Sequence, residues 1–357
     1  MSAREYYPQF FRRTRPWAEV FSRAVTANDL SATGSQLFFR AYSDALSRTP
    51  GAPAAKIGRR TREAQGALAF GEWLRRGSII YDLNDALTEA LDRSDPGEIR
   101  PSDLHLPFDV MYVAFGARHD IRLHSGVLVT GAWLIHFPGQ SLRFVLTAPQ
   151  PADTPWWDRH EEFFDTRLMY EYWERPLGEA IDASLDDDYK DLEHASMTKT
   201  LAGGLSKDDA DEIAALFTHL EQNRDAYRRA VSLIVNALCF ITAYQGDVEE
   251  RWQPGTPEKW IGKADAGTSK EVARARSKLN AMGYRRVLRV GDMFGARSAS
   301  APREGTWRRG HWRNQAYGTG YSLRRVRWIM PMAVLGGPSD AKEERIYEVP
   351  EAAPAKR

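Results

Sequence analysis

The 357-residue sequence has one cysteine, Cys239, so neither an intramolecular disulfide nor a Cys-rich zinc site can form. Uninterrupted apolar runs are only a few residues long, against the roughly 18 that a membrane span needs, and residues 1–25 hold no apolar signal core. The expectation is a soluble, cytoplasmic protein with no membrane partner. The common enzyme signatures are missing too. There is no Walker-type phosphate loop, no Rossmann glycine loop, no HExxH and no GxSxG elbow, and Gly318-Thr319-Gly320 has neither the preceding strand nor the following helix of a dinucleotide site. Carboxylates adjoin histidines at His160-Glu161-Glu162 and Glu193-His194, but neighbouring residues point to different faces of a helix and cannot close on one ion. No cofactor is expected. Net charge is nearly absent as well, with 49 Lys and Arg against 48 Asp and Glu.

That balance conceals two opposed blocks. Residues 151–225 carry 7 basic against 20 acidic side chains, and residues 268–328 carry 15 basic against 3 acidic. Clustered cations repel one another unless a partner or an acidic surface offsets them, so the C-terminal block points to a polyanion, the internal alternative being the acidic block itself.

Periodicity predicts an α+β protein with N-terminal helices, a central antiparallel sheet, one long helix and a basic β-rich C-terminal unit. Apolar residues recur at helical spacing from Arg15 to Leu46, from Arg62 to Arg76 and from Tyr81 to Leu91. Val110–Phe115, Gly126–Phe137 and Leu142–Leu146 read as strands of a meander. Residues 149–207 read as irregular, with Asp186, Asp187 and Asp188 in a solvated loop. From Lys207 to about Tyr244 a broad apolar face marks one long helix or a kinked pair, with Cys239 a buried thiol on it. Thr268 with Glu271 starts a basic helix to Met282, Tyr284–Val290 reads as a strand, Gly291–Gly320 as loop and Leu323–Leu335 as strand. Four spans follow: 1–148, helices plus sheet; 149–250, acidic loop and long helix; 251–340, basic unit; 341–357, tail.

The least ordinary segment is residues 307–329, where cations and aromatics interleave. Arginine forks grip phosphate, aromatic faces stack on unpaired bases and amides read base edges, a mixture suited to single-stranded or looped RNA. The candidate contact residues are Arg308, Arg309, His311, Arg313, Asn314, Gln315, Tyr317, Arg324, Arg325 and Arg327. In the opposing reading Trp307, Trp312 and Trp328 are core and the arginines stack on them; in an extended strand Trp312 faces away from His311 and Arg313. His119 with His124, or His311 with nearby arginines, are the candidates for a metal-independent ribonuclease.

The pattern His311-Trp312-Arg313-Asn314-Gln315-x-Tyr317-Gly318, followed by Ser322, Arg324-Arg325 and Trp328-Ile329-x-Pro331, resembles the C-terminal signature of a phage and plasmid family. Leu106-Pro107-Phe108-x-x-x-Tyr112-Val113-x-Phe115 resembles that family's Leu-Pro-Phe element, which precedes its first strand. The family includes the type V-A anti-CRISPR protein that lowers production of the type V effector nuclease. The resemblance implies a non-enzymatic inhibitor in a bacterial host cell. It would recognise the nascent N-terminal peptide of a CRISPR effector on the ribosome, leading to loss of the effector's message, while RNA is the partner that residues 307–329 themselves suggest. A structural phage protein is the remaining alternative.

Overall fold

The computed structural model describes residues 5–15, 17–18, 32–52, 57–97, 99–150, 154–156, 159, 163–201, 207–298 and 306–334. Helices α1 (Tyr7–Thr14), α2 (Ala32–Ser47) and α3 (Ile57–Arg75) come first. Then follow β1 (Ile80–Leu83), α4 (Asp85–Asp92), β2 (Ser94–Asp95) and a meander of β3 (Val110–Ala114), β4 (Gly131–Phe137), β5 (Ser141–Thr147) and β6 (Phe163–Met169). Helices α5 (Leu177–Leu201) and α6 (Lys207–Ala243) lead to β7 (Val248–Trp252), α7 (Glu258–Ala266), α8 (Ser269–Ala281), β8 (Arg286–Val290) and α9 (Asp292–Ser298). Strands β9 (Thr306–Arg308), β10 (Gly310–Tyr317), β11 (Leu323–Ile329) and β12 (Met332–Val334) complete the described chain.

Seven strands form one sheet in the order β6-β5-β4-β3-β1-β8-β7. The α+β class and the long helix are as expected, and β3 to β6 form an antiparallel meander. The sheet as a whole is mixed, because β1 pairs parallel with both β3 and β8. The stretch from Tyr81, expected to be helical, begins as a strand. Ile80, Tyr81, Asp82 and Leu83 are all buried, which removes the alternation that marks a half-exposed strand. The Leu-Pro-Phe element leads into β3 rather than into the first strand.

Both sheet faces are covered. Along β3, Met111 and Val113 enter one core with Leu134, Phe144 and the apolar face of α6, while Val110, Tyr112 and Ala114 enter the other with Trp133, Phe11, Phe70 and Trp73. By length and composition the Ile213–Ala243 part of α6 could cross a membrane, yet its apolar residues from Tyr227 to Ile241 lie in the core over the sheet. Leu216 and Phe217, nearer its start, are only half-buried.

Within the span 149–207, expected to be irregular, lie β6 and the 25-residue α5. Asp186, Asp187 and Asp188 lie in α5, where Arg224 and Arg228 of α6 pair with Asp186 (2.6 Å) and Asp182 (2.7 Å). Gly291–Gly320, expected as loop, contains α9, β9 and β10.

Candidate nucleic-acid interface

The basic C-terminal segment forms an antiparallel hairpin, β10 with β11, in which Trp312 stands opposite Trp328 and Arg313 opposite Arg327. One face is an anchor. Trp312 (3% exposed) and Trp328 (0%) stack at 5.9 Å, and Phe240 of α6 and Phe294 of α9 pack on Trp328 at 5.7 and 5.3 Å. Buried indole N–H groups need acceptors. Trp312 Nε1 donates to Asn236 Oδ1 (2.9 Å) and Trp328 Nε1 to Ser94 Oγ (3.0 Å). Asn236 Nδ2 in turn donates to the carbonyls of Leu91 and Ser94, both at 2.9 Å. Sequence reasoning missed Asn236; its signal is a lone amide inside an otherwise apolar helical face. Gly310 sits where the strand crosses β2, and a Cβ there would lie 2.5 Å from Ser94 Oγ and 2.6 Å from Pro331 Cδ.

Alternation sends the neighbours the other way. His311, Arg313, Gln315, Tyr317, Arg325 and Arg327 share the opposite face, with Arg325 over the Tyr317 ring at 5.2 Å. Six of the ten candidate residues are thereby brought together. Asn314 and Arg324 are exposed on the anchor face, toward the hairpin tip beyond the tryptophans. Arg308 lies in β9, and its side chain, like that of Trp307, is outside the described residues. In α5, Asp186, Asp182 and Asp187 pair with Arg224, Arg228 and Lys190.

Arg309 belongs to a different place. It lines a cleft of about 840 Å³ between α4, β2, α6 and the 118–120 turn, together with Arg118, His119, Asp120, Arg228 and Arg229. Arg229 bridges Asp92 (2.7 Å) and Asp120 (2.6 Å) there, and the hydrogen bond from Arg229 is the main cause holding the Asp120 carboxyl below its ordinary range. His119 Nδ1 accepts from the Ile121 amide (3.3 Å), and burial pushes its pKa down, so the ring is neutral at pH 7. The exposed His124 is tied to α6 through its backbone amide, which donates to Asn223 Oδ1 at 2.7 Å. Among the described residues no three His, Cys, Asp or Glu side chains form a metal-binding group; His160, Glu161 and Glu162 are outside them. Cys239 is buried, which raises its thiol far above the range of a nucleophile.

A family model for the AcrVA2-like, anti-CRISPR type V subtype A2 family matches residues 81–336, from β1 through β12. The chain belongs to the AcrVA2-like family. It is therefore an anti-CRISPR inhibitor by family, and the matched span takes in both the hairpin and the cleft. The crystal structure of AcrVA2 aligns with 92% of this chain and 96% of its own, at 13% identity and a TM-score of 0.42. No curated protein matches the sequence. Within the AcrVA2-like span the His311–Gly318 and Ser322–Pro331 motifs are the two arms of the hairpin, so Trp312, Trp328 and Pro331 serve its seating and His311, Arg313, Gln315 and Arg325 its open face.

Proposed function

We propose that this anti-CRISPR inhibitor, carried by a phage or plasmid and working in the bacterial cytoplasm, lowers production of its target by binding the target's RNA through the open face of the β10–β11 hairpin. The observation that carries the reading is the division of labour across one hairpin. The two tryptophans are spent on seating it, while three arginines, a histidine, an amide and a tyrosine stand together on the other side. Arginine forks with an aromatic ring suit phosphates and unpaired bases. A nascent chain is the second reading. It is favoured by the cleft at Arg309, whose mixture of cations and carboxylates suits a peptide's mixed charge better than a polyanion.

The test is purified protein incubated with labelled message for the start of a type V effector gene, and in parallel with the peptide that message encodes, without cell extract. Bound, intact RNA whose affinity falls with salt supports the hairpin reading. Shortened RNA makes the protein a ribonuclease, and peptide binding without RNA binding moves the site to the cleft.

A further inference from the structure

A second electropositive surface lies on α8, which packs with α7 away from the hairpin's anchors. Two helices are joined there by Gly267 and Thr268, with Thr268 capping α8 through a reciprocal bond with Glu271. The unit has its own small core of Ala264, Ala275 and Leu279, with Trp252, Trp260 and Tyr284 packed against it. Of the rest of α8, Val272 is half-buried and Arg276 Nε donates to the Ala264 carbonyl of α7 (3.3 Å), while the other side chains are exposed. Lys270, Arg274 and Lys278 recur at intervals of four, all exposed and without an ion partner among the described residues. At about 1.5 Å per residue they form a row of charges roughly 6 Å apart along one side of the helix. The acids nearby are engaged: Glu271 by the cap, and Asp265 by the Trp252 indole (3.2 Å) and Arg286 (3.6 Å). Glu258 remains at the far end of α7.

We infer that α8 is a docking surface for double-stranded DNA, lying in the major groove with Lys270, Arg274 and Lys278 on phosphates. Charge complementarity calls for a polyanion, and the shape of the face chooses which. Beside the cations, and apart from the exposed Glu271 and Arg276, the exposed residues Ala273, Ser277 and Ala281 are small enough for the helix to approach a groove floor. The face has no exposed aromatic ring, so it lacks the stacking platform by which single strands are held. An α-helix about 10–12 Å across fits the roughly 12 Å major groove of B-form DNA, whereas the deep, narrow groove of A-form RNA does not admit it. This inference stands apart from the RNA reading of the hairpin, which uses other residues on another element.

Fluorescence anisotropy of the full-length protein with a mixed-sequence 20-base-pair DNA tests it across about 50–200 mM salt. Three phosphate contacts should contribute a log–log slope of about −2.7, which is about a fortyfold loss of affinity over that range. The triple variant Lys270→Gln, Arg274→Gln, Lys278→Gln should lose that component with an unchanged melting temperature. Ala273→Glu, which places a carboxylate in the groove without removing a cation, should weaken binding as well and decides the matter if the triple variant folds poorly. The paired variant Arg313→Gln, Arg325→Gln should leave DNA binding as it was. An undiminished salt slope for duplex DNA in the α8 variants, or an equal loss by the same variants on an RNA duplex or a single strand of the same sequence, would overturn the assignment.

Discussion

Trp312→Ala separates a seated hairpin from a loose one. The side chain is 3% exposed and its indole N–H is bonded to Asn236 Oδ1, which takes no other donor among the described residues. Emptying the site costs about 3–5 kcal/mol by the usual range for a buried tryptophan. Leaving Asn236 Oδ1 buried without its donor adds about 1–3 kcal/mol. In a chain of this size, if unfolding is cooperative, about 5 kcal/mol corresponds to roughly 5–7 °C in melting temperature. Part of the loss is expected to be local, because the two tryptophans join only the core on the α6 face of the sheet, at its β2 and α6 side, while the other face has a core of its own. Hydrogen exchange should therefore show the amides of 311–317 and 323–329 opening far more readily, with β3–β5 changed much less. Asn236→Leu should reproduce a smaller version of the same pattern. A Trp312→Ala protein with parental melting and parental exchange across the hairpin would refute the seating argument.

Further outcomes follow from other parts of the molecule. Arg313→Gln, Arg325→Gln and Arg327→Gln together should reduce the salt slope for single-stranded RNA by about 2 while leaving the fold intact, read by anisotropy and thermal melts. Ile234→Asp puts a charge at a fully buried position and should unfold the protein, whereas Leu216→Asp, at a half-buried position, should only lower the melt; circular dichroism distinguishes them. Burial lowers the His119 pKa from its ordinary 6.5, so the unfolded chain binds the proton more readily. Its contribution is present above about pH 6.5 and lost as pH falls. Melting temperature should thus decline more steeply between pH 7 and 5 in the parent than in His119→Gln. Gly310→Ala should destabilise the hairpin, since neither Ser94 nor the Pro331 ring can yield the space a methyl needs.

What was legible in the sequence depended on how many faces each element buries. The meander and α6 declared themselves through runs bounded by turns and through one broad apolar stripe. Strand β1 did not, because burial on both sides erased its period. Helix α5 was concealed by aspartates, poor helix formers in isolation, which are tied down by Arg224 and Arg228 of α6. The basic hairpin was visible as a pattern, and alternation alone placed Trp312 opposite to its charged neighbours. That Arg309 leaves this face for a cleft with Arg118 and Arg229 was not legible, since those partners are remote in sequence and meet only through the tertiary fold.

The parallel pairing of β1 with β8 sets the order in which this molecule can be completed. Asp82 and Arg289, joined across that pair at 2.7 Å, are 207 residues apart. As the chain emerges from a ribosome, the meander can zip up early, but β1 then stands at its margin with one side unpaired. Until residues 286–290 are made and slot in beside it, that margin offers open backbone to any extended chain nearby, and closing so long a loop is slow. A nonsense mutation before Arg286 should therefore give an aggregating fragment rather than a smaller working inhibitor, even though most of the core has by then been synthesised.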